Sequence, residues 1–207
     1  MKTLLVSFIL VINLFTHQME DTIQDKPLTY LALGDSYTIG EAVAASERWP
    51  VQLVAKLLDK KVSVQSTKII ATTGWRTDQL KAAIEADKEL LESYDMVSLL
   101  IGVNNEYQGR TVESFEPEFE ELLQKAISLA GGNNEKVFEV SIPDYGKTPA
   151  GLKKEKEIEK RLNEYNAVCK RISKKYNVEF FNITPISFGA KKDLELVAKD
   201  NLHPSGK

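Results

Sequence analysis

Cysteine is all but missing from this 207-residue chain: Cys169 stands alone, so no intrachain disulfide can staple the fold. Histidine is nearly as scarce. Of the two, His17 sits in an N-terminal apolar stretch, which leaves His203 as the one imidazole for the body of the protein. Zinc sites built on several His or Cys ligands are excluded by that count. A strong charge of either sign is lacking too. Lys and Arg number 27 against 30 Asp and Glu, a net charge of −3, and no basic stripe tracks along the chain, so nucleic acid is not an expected partner. Segment 153–175 looks basic, but Glu155, Glu157, Glu159 and Glu164 interleave with its lysines, the pattern of a solvated helix face. Several motifs are absent as well: the Walker A loop, Gly-x-Gly-x-x-Gly, the Gly-x-Ser-x-Gly elbow and Ser-x-x-Lys. Nothing therefore points to a nucleotide or to the common serine-hydrolase signatures. Carboxylates alone can hold magnesium or calcium, yet no spaced acidic motif supports such a site.

What is present suits one globular domain. Apolar residues make up 43% and charged residues 28%, enough to bury a core. Lys2 precedes an apolar run over residues 4–15, broken by Ser7 and Asn13. That run is short for a bilayer span and reads as a signal peptide. No small-x-small site follows Phe15, so the leader is either cleaved on export or kept as a membrane anchor. The expected layout is a leader over 1–19, a polar linker over 20–27 and a domain over 28–207, exported to a periplasmic or extracellular location.

Within the domain, apolar runs alternate with helical patterns. Strands are predicted over 28–33, 62–71, 94–101, 137–142 and 178–183. Helices are predicted over 49–58, from a cap at Thr77 or Asp78 through Leu80, Ile84 and Leu91, over 117–130 and over 153–176, with a short helical stretch at 193–198. Cys169 falls in register with Leu162, Tyr165 and Ile172, so a buried structural thiol is expected. Five apolar strands separated by helices imply βαβ crossovers and a parallel sheet covered on both faces. Ligands of such sheets bind beyond the carboxyl ends of the strands, where this sequence places its conspicuous polar residues.

Gly34-Asp35-Ser36 closes the first strand. A serine hydroxyl needs a neighbouring base to become nucleophilic, and a helix start beside it offers N–H groups to an oxyanion; the same residues equally suit a plain turn with a helix cap. Asp200 and His203 form an i, i+3 pair that can orient an imidazole, or else an incidental histidine in a tail. Gly74 and Asn104 each follow a strand and can supply a backbone N–H and a neutral amide donor. Four strand ends delivering a nucleophile, two donors and a base make a set that chance explains poorly.

In order, Gly34-Asp35-Ser36, Gly74, Gly102-Val103-Asn104-Asn105 and Asp200-x-x-His203-Pro204 resemble the blocks of the SGNH/GDSL hydrolase family. The resemblance implies a flavodoxin-like three-layer α/β/α fold with a five-stranded parallel sheet. It implies Ser36 as nucleophile, His203 as base and Asp200 as its partner. The oxyanion hole would be the N–H groups of Ser36 and Gly74 with the Asn104 amide, and Asp35 would be structural. No metal or organic cofactor is implied. Two departures stand out. Asn105 replaces the family's usual aspartate, and the sequence ends four residues after His203, where members continue into a terminal helix. Truncation of the domain is one reading of that ending; the other is a weakly held Asp200–His203 loop.

The expected activity is hydrolysis of carboxylic esters of small-molecule, lipid or glycan type, by a lysophospholipase or small acyl esterase. Tyr37, Trp75, Tyr107 and Tyr145 follow strand ends and are candidates for the cleft walls, with packing against the domain as the alternative for each. Two rivals are a non-catalytic binding protein of the same fold and a metal-dependent phosphoesterase using Asp35, Asp144, Asp200 and His203. The sequence carries no signal of oligomeric state.

Overall fold

The structure is a computed structural model that describes residues 26–207. The leader over 1–19 and most of the expected linker lie outside the described residues. Five parallel strands form one sheet: β1 (Leu28–Gly34), β2 (Val64–Ala71), β3 (Met96–Leu100), β4 (Val137–Val140) and β5 (Glu179–Phe181), in the order β2-β1-β3-β4-β5. This is the flavodoxin-like strand order, and the chain reverses its direction of winding between β1 and β3. A crevice opens there, at the carboxyl ends of those two strands. Both carry the site described below.

The helices are α1 (Ser36–Ile39), α2 (Trp49–Asp59), α3 (Thr77–Ala86), α4 (Val103–Tyr107), α5 (Val112–Leu129), α6 (Glu155–Lys175) and α7 (Thr184–Ser187). In α6 the buried residues Ile158, Leu162, Tyr165, Cys169 and Ile172 recur at spacings of three and four. That stripe joins Phe115 and Phe119 of α5 and Leu31, Leu33, Val97 and Leu99 of the sheet in one core. Each such side chain, fully buried, contributes about 1.5 to 3 kcal/mol. On β1 and β3 the register sets Leu31 beside Val97 and Leu33 beside Leu99, so the central strands are apolar on this face. Tyr30 hydrogen-bonds Ser98 at 2.7 Å and stacks on Phe138. Cys169 is fully buried, as its register predicts.

Element boundaries depart from the expectations where a local cap overrides periodicity. Helix α5 starts at Val112 rather than 117, because Thr111 caps it and Phe115 and Phe119 extend the buried stripe; Pro117 lies inside the helix. Helix α3 ends at Ala86 instead of reaching Leu91, since the Asp87 carboxylate turns to the Glu89 N–H and to Lys68. Neither Thr77 nor Asp78 caps it: the N-cap is Arg76, and the Thr77 N–H goes to Asn105. Strands β2 to β5 are each shorter than predicted. Near strand ends an apolar run continues into the loops that build the site.

Candidate active site

Gly34 makes the first turn of the site possible. A Cβ there would lie 2.1 Å from the Thr38 Oγ1 and 2.6 Å from the Leu100 carbonyl oxygen, so only glycine lets β1 pass into α1 at this distance. Asp35 follows, fully buried, its Oδ1 accepting the Tyr37 N–H at 3.0 Å. Burial raises its carboxyl to about 7, against the opposing pull of the Tyr37 and Asp35 N–H groups and the nearby Asn104 amide. Its Oδ2 has no hydrogen-bond partner. Asp35 is a buried cap, as the resemblance implies, and does not face the cleft as a free carboxylate.

Ser36 opens α1 and is 4% exposed. It lines a cleft of about 180 Å³ with Gly74, Asn104, Tyr107, Tyr145 and His203. Gly74 adopts φ +86°, and the space a Cβ would take is open. Among the described residues neither the Ser36 nor the Gly74 N–H donates a hydrogen bond. The Asn104 amide gives one hydrogen to the Trp75 carbonyl at 3.0 Å, and the amide also lies close enough to Asp35 to favour its charge.

His203 and Asp200 meet as a pair. The imidazole Nδ1 lies 2.6 Å from Asp200 Oδ2, and Asp200 Oδ1 accepts the Leu202 and His203 N–H groups at 3.0 Å each. Partial burial works against the Asp200 charge, but these hydrogen bonds outweigh it and hold the carboxyl below its usual range. The Tyr37 ring packs edge-on against the imidazole at 5.3 Å. Among the described residues no hydrogen bond joins Ser36 to His203, although both line the same cleft.

The Asp200–His203 loop is well tied, which corrects the reading of it as weakly held. Val197 and Pro204 form an antiparallel bridge, Ala198 N donates to His203 O at 2.8 Å, and Ser205 N donates to Leu196 O at 2.9 Å. Gln52 of α2 donates to the Gly206 carbonyl at 3.0 Å. Ala150 N donates to Asn201 O at 3.1 Å.

Of the four aromatic candidates, Tyr37, Tyr107 and Tyr145 line the cleft. Trp75 does not: its ring packs on the core, and its carbonyl serves Asn104. The four residues of the metal reading also fail to gather. Asp35 caps Tyr37, Asp144 caps Gly146 at 2.8 Å, and among the described residues no three His, Cys, Asp or Glu side chains form a metal-holding group.

Two residues that hold the site, Glu106 and Asn166, escaped the sequence reading, and Asn105 entered it only as a departure from the family block. Asn105 is buried, accepts the Thr77 N–H at 3.1 Å and donates to the Thr77 hydroxyl at 2.7 Å, so it caps α3 from across the crevice and fixes the chain just beyond Gly74. Glu106 is buried between the Tyr145 hydroxyl at 2.8 Å and the Arg161 Nε at 2.5 Å. Asn166 holds both the N–H and the carbonyl of Ile142. Spacing gives no sign of any of these, because each pairs with a residue at least 24 positions away.

A 2-1-3-4-5 parallel sheet with a hydroxyl, an amide and an imidazole–carboxylate pair at its carboxyl edge defines the SGNH class of three-layer α/β/α hydrolase fold. The chain belongs to the GDSL-like lipase/acylhydrolase family, whose model matches residues 32–207. Solved structures of the same fold include a lipase/acylhydrolase from Enterococcus faecalis (20% identity, TM-score 0.67, covering 86% of this chain and 87% of that one). Phospholipase A1 from Streptomyces albidoflavus is similar at 18% identity and TM-score 0.66, with coverage of 87% and 94%. An acetyl-xylooligosaccharide esterase from Geobacillus matches at 19% identity and TM-score 0.63, with coverage of 86% and 87%. A search of curated protein sequences returned no match.

Proposed function

We propose that this family member cleaves carboxylic esters through an acyl-enzyme on Ser36. The observation that carries the reading is the 2.6 Å Asp200–His203 pair opening onto the same cleft as Ser36, Gly74 and Asn104. With Nδ1–H donated to Asp200, the imidazole is held in the tautomer whose Nε2 is free to act as base. Nucleophile–base contacts commonly close only when substrate is in place. Nε2 takes the Ser36 proton as Oγ attacks the ester carbonyl. The resulting oxyanion is stabilised by the Ser36 and Gly74 N–H groups and the Asn104 amide. His203 then protonates the leaving alcohol, and water releases the acid by the reverse sequence.

Small acyl esters, with lysophospholipids as the lipid-like case, are the proposed substrate class; the spaces that reach Ser36 measure about 180 and 370 Å³. The similar structures carry names of both lipid- and acetyl-ester enzymes. Export through the N-terminal leader fits such substrates; its support is Lys2 and the apolar run after it. A phosphonate probe with mass spectrometry tests the mechanism: the label belongs on Ser36, and Ser36→Ala should lose both label and esterase activity. Retention of full activity in Ser36→Ala ends the proposal.

A further inference from the structure

Tyr145 lines two of the three spaces that meet at His203; the remaining one, of about 370 Å³, reaches Ser36 without touching Tyr145. Its side chain lines the catalytic cleft and also a neighbouring cavity of about 240 Å³. That cavity is walled largely by apolar residues, among them Ile183, Ile186, Ala190, Leu196 and Val197. The residues common to both spaces are Tyr37, Tyr145, Leu202 and His203. Tyr37 is packed against the imidazole, so Tyr145 and Leu202 are the part of this wall that can be changed without dismantling the His203 environment.

The Tyr145 ring is held from several sides. It is 6% exposed, its hydroxyl is bound by Glu106, and Glu106 is bound in turn by Arg161 of α6. Asn166, also on α6, pins Ile142 three residues upstream. Tyr107 closes on the ring edge-on at 6.0 Å. A phenol clamped through a buried carboxylate cannot swing aside as a free surface aromatic can.

We propose that Tyr145 is a specificity-determining partition of this enzyme: it stands between the cleft at Ser36 and the apolar cavity beside it and keeps that cavity unused as an acyl-chain site. The inference rests on the serine-esterase reading. Removing the ring joins the two spaces, so each further methylene of the acyl chain finds apolar cover worth up to ~4-fold in kcat/KM.

The experiment compares kcat/KM for p-nitrophenyl acetate, butyrate and octanoate in the full chain and in Tyr145→Ala, Tyr145→Leu and Tyr145→Phe, with phosphonate labelling of Ser36 in each. Tyr145→Ala should raise the octanoate-to-acetate ratio by about tenfold or more. Tyr145→Leu, which keeps apolar bulk for folding, should move it the same way by less. Tyr145→Phe keeps the ring but releases it from Glu106, so it should move the ratio by less than Tyr145→Leu. A ratio unchanged in both Ala and Leu variants while Ser36 still labels, or an equal fall at every chain length, overturns the partition alone. A wild type that neither labels nor hydrolyses any ester overturns the esterase reading and the partition together.

Discussion

Glu139 of β4 is buried in the core with no hydrogen-bond partner for either carboxylate oxygen, although the Cys169 thiol lies beside it. Ser173, one turn further along α6, also has an unpartnered hydroxyl. Burial pushes the Glu139 carboxyl well above its usual range, with the thiol a smaller opposing influence. The folded state therefore holds this carboxyl neutral while the unfolded chain ionises it near its ordinary value of ~4.3. Below that value both states are protonated and pH has no effect through this group. As pH rises above it, the unfolded state sheds the proton first, and stability falls by up to ~1.4 kcal/mol per pH unit until the folded group ionises. An unsatisfied buried polar group costs about 1–3 kcal/mol even when neutral.

Glu139→Leu should therefore stabilise the protein by about 1–3 kcal/mol at pH 5, and by more at pH 7 and 8. For a domain of this size each kcal/mol moves Tm by roughly 2–4 °C, a rise of about 2–12 °C at the lower pH. Glu139→Gln keeps the shape and a polar end, so it should flatten the pH dependence with a smaller gain at pH 5. Thermal and urea unfolding of the three proteins between pH 5 and 8 measures this, in a window below the range where Cys169, whose thiol burial also raises, would ionise. A difference in stability between wild type and the Leu variant that stays constant or shrinks with rising pH would refute the reasoning.

Three further outcomes are expected. Asn104→Ala should lower kcat roughly 100- to 1000-fold with an unchanged circular dichroism spectrum, because the proposed mechanism uses that amide as one oxyanion donor. Asn105→Ala should cost about 1–3 kcal/mol in urea unfolding by orphaning the Thr77 N–H, and should lower turnover by loosening the Gly74 loop; Asn105→Asp keeps the acceptor and should recover most of both. Asp35, whose carboxyl is raised to about 7, has the same sign as Glu139. Wild-type stability should fall through it from about pH 4 to about 7 and level off above, and Asp35→Asn should remove that slope while holding activity within tenfold.

The fold was legible because β1 and β3 are near-continuous apolar runs and α6 repeats its buried residues at helical spacing; both signals are local. The site blocks were legible because Gly34-Asp35-Ser36 and Asp200-x-x-His203 keep their partners within three residues. What stayed hidden depends on contacts between distant segments. Trp75 is an aromatic after a strand like Tyr145, and composition cannot say that one packs on the core while the other lines the cleft. The early start of α5 was hidden because Pro117 suits a first turn, whereas Thr111 and the Phe115–Phe119 stripe decide the matter. The short helices α1, α4 and α7 span four or five residues, too few for any periodicity to register.

Helix α4 shows why those distant contacts converge on one short element. Successive residues on a helix point about 100° apart, so the four residues Asn104 to Tyr107 radiate in four directions. Asn104 reaches the Trp75 carbonyl and the cleft, Asn105 the start of α3, Glu106 the Tyr145 hydroxyl and Arg161, and Tyr107 the rim of the cleft. A single turn thus sets the Asn104 amide, fixes the chain beyond Gly74 and clamps Tyr145 beside them. Changes at Asn105 and Glu106 are therefore expected to couple with Asn104 through a shift of α4. Their effects on turnover should combine non-additively, as contacting residues commonly do.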